Sequence, residues 1–166
     1  MKRLNYAVLS NYLELSGLKN LPTFGALPDY FVVDLLADGE LLKLDAWEKL
    51  FKYGESPDCF FIILKGQIRL YQGEFSGKKY LLTHKAGEST GFASMLALQP
   101  RVGDAVADKE GAIVLKISSE LFSSLYELEA QAFSILLLNL TRNMSRSLRS
   151  IAASAELKPE ENNTPE

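Results

Sequence analysis

From Leu42 to Ile117 the chain is cut into short apolar segments by turn residues, and this rhythm limits the folds open to it. Leu42 with Leu44, Trp47, Leu50 with Phe51, CFFIILKG, QIRLYQG, KKYLLTH, GDAVADK and AIVLKI follow one another. Branched and aromatic side chains in runs this short suit pleated, half-buried strands, whereas helices need longer periodic stretches. Seven or eight strands within about 80 residues predict a sandwich or barrel. Lys65-Gly66 and the Gly73 to Gly77 stretch read as hairpin connections.

Helical patterns flank the strands. Breakers at Gly17, Pro22, Gly25 and Pro28 divide the first 40 residues into short helices, and the run YFVVDLLADG ends on a glycine stop at Gly39. After the strands, Ser118 and Ser119 are N-cap candidates, Glu120 suits a first turn, and Leu121, Phe122, Leu125 and Leu128 keep helical spacing. A break is expected near Glu127. The next helix places Phe133, Leu137, Leu140, Met144, Leu148 and Ile151 on one stripe and Arg142, Arg146 and Arg149 opposite. Ile135 and Leu138 lie away from that stripe, so this helix wants two partners: the β-domain and a second copy of the chain. The predicted divisions are therefore an N-terminal helical segment over 1–39, a β-domain over 40–118, C-terminal helices over 119–156 and a disordered tail over 157–166.

Composition removes several function classes. Eighteen Lys and Arg against 21 Asp and Glu give a net charge of −3, which argues against nucleic acid as the main partner. Cys59 is the only cysteine and His84 the only histidine, so neither an intrachain disulfide nor a sulfur-rich metal site is expected. No signal peptide, no stretch of 18 apolar residues and a single thiol predict a cytoplasmic protein outside the membrane. Paired carboxylates beside a histidine, a Ser-His-Asp order and a metal cluster are all missing from the sequence, so no catalytic residue is assigned and no enzyme is expected. His84 at a strand end reads as structural, and Cys59 as a small buried residue with nothing basic beside it in sequence to lower its pKa.

GFASMLALQPR, residues 91 to 101, has the chemistry of a phosphate cradle. Gly91 permits a tight turn, Ala93 to Leu98 form one or two helical turns, and Arg101 brings a guanidinium to the far side. A sugar phosphate also calls for an acid, and Phe92 stands where one would be sought.

These features, with LFKYGESPDCFFIILKGQIRLY (50–71), AGESTGFASMLALQPR (86–101) and AIVLKISSELFSSL (112–125), resemble the cyclic-nucleotide-binding domain family. Its members include catabolite activator proteins, regulatory subunits of cyclic-AMP-dependent kinase and the cytoplasmic gates of some ion channels. The resemblance covers about Leu18 to Ile151 and implies a jelly-roll-like β-roll, a cupin-like double-stranded β-helix, with short N-terminal helices and a long C-terminal helix. It implies that the cyclic phosphate meets Gly91, Phe92, Ala93 and Ser94 at the short helix, Arg101 through its planar fork, and Val102 and Gly103 through their amides. The family's glutamate after the glycine is here Phe92, and its small hydroxyl residue three after the arginine is Asp104. The family's lid residue on the long helix falls nearest to Ser147, with Asn143 one turn earlier. No cofactor is implied; the possible ligand is cyclic AMP, cyclic GMP or a cyclic dinucleotide. A stand-alone regulatory sensor is expected, dimeric through the 129–155 helix, signalling to a partner protein. The 166 residues leave no room for a helix-turn-helix, so direct DNA binding is not expected. The alternative is a ligand-free adaptor of the same fold, with Phe92 filling the cavity and Asp104 pairing with Arg101.

Overall fold

A computed structural model describes residues 1–73 and 79–156, so the predicted tail and most of the Gly73 to Gly77 connection lie outside the described residues. Strand β1 (Lys2–Leu4) is followed by 3-10 turns at Tyr6–Asn11 and Pro22–Phe24, which flank the short helix α1 (Leu15–Leu18); helix α2 (Asp29–Asp38) comes next. Pro28 holds the extended conformation that starts α2, and Asp29 sits in its first turn, where the helix dipole favours an acid. Strands β2 (Glu40–Leu44), β3 (Lys49–Phe51), β4 (Cys59–Gln72), β5 (Lys79–Lys85) and β6 (Ser89–Thr90) lead to helix α3 (Phe92–Ala97). Strand β7 (Gly103–Ser118) then gives way to α4 (Ser119–Leu128) and α5 (Ala130–Glu156).

The strands form one antiparallel sheet in the order β1-β2-β7-β4-β5, with β3 added to β7 and β6 to β4. It is the mainly β fold with flanking helices and a long C-terminal helix that the sequence predicts. Two differences stand out. The N-terminal KRL segment pairs with β2 as a strand, although it carries no apolar alternation to announce it. Lys65-Gly66 is not a hairpin: CFFIILKG and QIRLYQG make one continuous strand, as do GDAVADK and AIVLKI. Gly66 adopts φ +80° and Gly111, beside its partner Ala112, adopts φ +72°. The register shifts between Ile63 and Lys65 and again between Gly66 and Ile68, so paired glycine bulges bend both long strands together instead of reversing them.

Period-two alternation gives the sheet two apolar faces. Phe60, Ile62 and Leu64 of β4 join Ile113, Leu115 and Ile117 of β7 beneath the helices. Phe61 and Ile63 join Val114, Leu44 and Phe51 inside the roll.

Ser118 caps α4, its hydroxyl accepting from Leu121 N–H at 3.1 Å, and the break before α5 falls at Glu129. Helix α5 buries Ala132, Leu136, Leu140 and Asn143, a line rotated by about one residue from the predicted stripe; of that stripe Leu148 is largely exposed, whereas Phe133, Leu137 and Met144 pack at the core's edge. Asn139 Nδ2 donates to the carbonyls of Thr23 (3.2 Å) and Gly25 (2.8 Å), which clamps the middle of α5 to the N-terminal turn. No helix among the described residues is long and apolar enough to cross a membrane.

Candidate functional site

The C-terminal half of α5 lies over a cavity of about 380 Å³. Its walls come from Phe51 and Leu70 of the roll, Leu82 and His84 of β5, Ser89, the Gly91-to-Ser94 turn, Val102, and Asn143, Met144, Ser147, Leu148 and Ile151 of α5. Of the residues named from the sequence, Gly91, Phe92, Ala93, Ser94, Val102 and Ser147 line this hollow, whereas Arg101, Gly103 and Asp104 do not; Arg101 stands against two of the lining residues, Gly91 and Phe51.

Gly91 turns the chain with φ +79° and opens α3 without a side-chain cap. The first amides of a helix have no acceptor within it, so those of Phe92, Ala93 and Ser94 are left for an external group. A Cβ at Gly91 would come within 2.5 Å of Arg101 Nη1, which gives the glycine a second reason: it lets the guanidinium pass. Arg101 is 2% exposed. Its Nη1 donates to Gly91 O at 2.7 Å, its Nη2 to Cys59 O at 2.5 Å, and its guanidinium lies 4.6 Å from the centre of the Phe51 ring. The Nε–H is buried without a partner, and no carboxylate pairs with Arg101 among the described residues.

Asp104 is not that missing carboxylate. Its Oδ2 lies 2.8 Å from Lys49 Nζ and its Oδ1 accepts from Tyr53 N–H at 2.8 Å, because the pairing of β3 with β7 brings Lys49 alongside. The lysine neutralises a charge that would otherwise repel an anion. Gly103 opens β7 opposite Gln72. Val102 sits exposed at the rim.

Phe92 turns its ring toward the core beneath the helices. It meets Phe60 edge-on at 5.1 Å and Phe122 at 5.7 Å, and Phe122 in turn contacts Phe133 of α5. The aromatic chain links α3 to α4 and α5, and the hollow beside it stays open.

Ser147 Oγ lies 3.2 Å from two groups, Asn143 O, which can only accept from it, and His84 Nε2, with which it shares a hydrogen bond. Burial pushes the His84 imidazole below the ordinary histidine range, with Glu88 opposing that shift. The unfolded imidazole takes up a proton below about pH 6.5, the folded one only at lower pH. Between the two values the unfolded state holds more protons, so stability falls as the solution is acidified below about pH 6.5. His84→Gln should flatten that part of the stability profile measured by urea unfolding; an unchanged slope would mean that another group carries it.

Cys59 is buried, and desolvation together with the neighbouring Asp58 pushes its thiol up to about 11, although Arg101 acts in the opposite direction. The thiol should react with an aromatic disulfide reagent no faster than the protein unfolds. Rapid labelling of the native state at pH 8, about where a free thiol ionises, would contradict this burial.

No curated protein matches the chain by sequence. The cyclic nucleotide-binding domain model matches residues 41–129. Among solved structures, the cyclic nucleotide-binding domain from Methylobacillus flagellatus KT superposes with a TM-score of 0.78 at 18% identity, covering 97% of this chain and 91% of its own. The regulatory subunit of a cAMP-independent protein kinase A from Trypanosoma brucei, as a triple mutant bound to cAMP, gives 0.67 at 20% identity over 92% of this chain and 53% of its own. The c-di-GMP-responsive regulator CLP of Xanthomonas campestris gives 0.68 at 14% identity over 77% of this chain and 63% of its own. Residues 41–129, more than half of the sequence, hold the strands of the roll from β2 on, the glycine-led α3 and α4: the chain belongs to the cyclic nucleotide-binding domain family.

Proposed function

We propose that the chain is a regulatory module in which a cyclic nucleotide enters the hollow under α5, shifts that helix, and so changes the surface offered to a partner protein. The observation that carries this reading is the buried Arg101 guanidinium, which has hydrogen bonds but no carboxylate partner among the described residues. A desolvated, uncompensated charge costs several kcal/mol, and an anion at the α3 amides would offset part of that cost. The adaptor alternative required a filled cavity and an Asp104–Arg101 pair. Instead, a hollow within the size range of small-molecule sites remains, and Asp104 is held by Lys49.

Without an acid for the sugar hydroxyls, one charge-assisted hydrogen bond of about 1.5–3 kcal/mol is missing, a loss of roughly 10- to 150-fold in affinity. The nucleotide is therefore expected to bind weakly. Helix α5 is the lever because Asn139, Leu136 and Leu140 fix its first half, while beyond Asn143 it rests mainly on the cavity wall. A ligand that prefers one position of this second half shifts the population toward it. The exposed Leu138, which does not line the cavity, leaves α5 an apolar outer position for a second copy or a signalling partner.

Spin labels at Ser150 on α5 and Lys109 on β7 test the coupling. Millimolar cyclic AMP or cyclic GMP should change the distance distribution. No change with either nucleotide, or with a cyclic dinucleotide, would favour the adaptor.

A further inference from the structure

We propose that the free edge of β1 takes up an extended acidic segment of a partner protein as an added strand. One carboxylate of that segment meets Lys2 and Lys43, and an apolar side chain two residues away enters a hollow beside Leu4. The surface shares no residue with the lining of the cavity under α5, and the inference goes beyond the sensing role without depending on it.

Strand β1 ends the sheet order β1-β2-β7-β4-β5, and among the described residues only β2 pairs with it. Alternate backbone N–H and C=O groups of such an edge point outward and can bond a further chain. The edge is held from both ends. The Met1 amino group pairs with Glu48, and Asn5 Oδ1 accepts from Ala7 N–H at 2.9 Å to start the turn that follows.

Register decides which side chains an added strand would meet. Lys2 stands opposite Lys43 and Leu4 opposite Leu41, so the four share one face, with the cations two residues from the leucines. Like charges set directly opposite each other are unfavourable, and neither lysine forms an ion pair among the described residues. Lys43 Nζ lies 5.3 Å from the centre of the Tyr12 ring, a contact that leaves its charge without an anion. Arg3, which points to the other face, does have a carboxylate, that of Glu40 at 3.7 Å. Beside Leu4 a hollow of about 450 Å³ opens between the strand and the end of α2, with Leu4, Leu36, Leu41 and Tyr6 in its walls. A strand added next to β1 would therefore place one side chain against two uncompensated ammonium groups and the next on that face against leucine. This fits an acid and an aliphatic residue at i and i+2.

The same charges argue against two other occupants. Antiparallel pairing of two copies of β1 about Arg3 would set two arginines opposite each other and gather four lysines around them. The chain's own LKPEENNTPE segment is acidic, but its one aliphatic residue, Leu157, has no acid two positions away.

The probe is the capped peptide Thr-Ile-Thr-Glu-Thr-Ile-Thr, which reads alike in both directions and so presents the pattern whichever way it lies. Its counterpart carries Lys in place of Glu. Both are titrated into the full chain at low salt and followed by amide NMR and hydrogen exchange. The Glu peptide is expected to bind about tenfold more tightly than the Lys peptide, to shift the β1 amides and to slow their exchange. Lys2→Glu should abolish or reverse this preference, and because Lys2 is exposed the variant leaves the core untouched. Equal affinities, no binding of either peptide at millimolar concentration, an unchanged preference in Lys2→Glu, or shifts confined to other elements would each overturn the inference. So would protection of β1 by vesicles of phosphatidylserine and phosphatidylcholine but not by the Glu peptide, which would assign the lysines to a membrane surface. Cyclic nucleotides titrated into Lys2→Glu report on the sensing role separately, so failure of one reading is distinguishable from failure of the other.

Discussion

Restoring the family's glutamate by Phe92→Glu is expected to unfold the protein's centre rather than to create a sugar-binding acid. The Phe92 ring is 2% exposed and meets Phe60 and Phe122 edge-on, so the new carboxylate would enter an aromatic cluster with no donor in place for it. Removing a buried phenyl group alone costs about 3–5 kcal/mol. Burying a carboxyl adds more, since the group either stays charged in an apolar site or must take up a proton at neutral pH. A combined loss of about 5 kcal/mol or more approaches the whole stability of many domains, and for a chain of this size it lowers Tm by roughly 10–20 °C. Phe92→Leu keeps the cluster apolar and should lose less than half as much. Calorimetric melting of the two variants decides the matter: a Phe92→Glu protein within a few degrees of wild type would mean that the ring is not a structural plug.

The second large effect concerns Arg101, where Lys is predicted to be worse than Met. Arg101 satisfies Gly91 O and Cys59 O with two nitrogens of one planar fork while its face covers Phe51. A lysine keeps the buried charge but loses the fork, so a desolvated ammonium is left with too few acceptors in reach. Methionine fills much of the same volume and removes the charge. It leaves two carbonyls short of a donor, although Gly91 O keeps its bond from Met95 N–H at 3.2 Å. Arg101→Lys should cost about 2–3 kcal/mol and Arg101→Met less, read as shifts in the urea midpoint at constant slope. The reverse order would show that the positive charge itself stabilises the ligand-free fold, which would remove the main support for anion sensing.

How far the sequence leads can be judged from particular elements. Strand composition predicts a sandwich or barrel and GFASMLALQPR a glycine-led helix, because both signals are local; the β-roll is what the family resemblance implies. Pattern reading failed at Lys65-Gly66, where a glycine with positive φ bends a continuous strand instead of closing a hairpin; the two uses of glycine look alike until the partner strand, with Gly111, is known. Strand β1 has three residues and no periodicity to detect. The α5 stripe was displaced because Asn143, a polar residue, occupies a buried position that Ser89 makes tolerable. The pairing of Asp104 with Lys49 joins residues 55 positions apart and follows from strand register, which no short motif encodes. A lone histidine at a strand end, His84 carries no sequence signal of a partner. Its contact with Ser147, across 63 positions, appears only once α5 is laid over β5.

Sensing by this module requires that the Arg101 guanidinium, which no carboxylate pairs among the described residues, draw in an anionic ligand. Isothermal titration of wild type and Arg101→Met with cyclic AMP and cyclic GMP tests this most directly. The expected result is measurable heat for at least one nucleotide in wild type, with a Kd no weaker than millimolar, and none in the variant. Silence in both proteins, or equal binding in both, would contradict it.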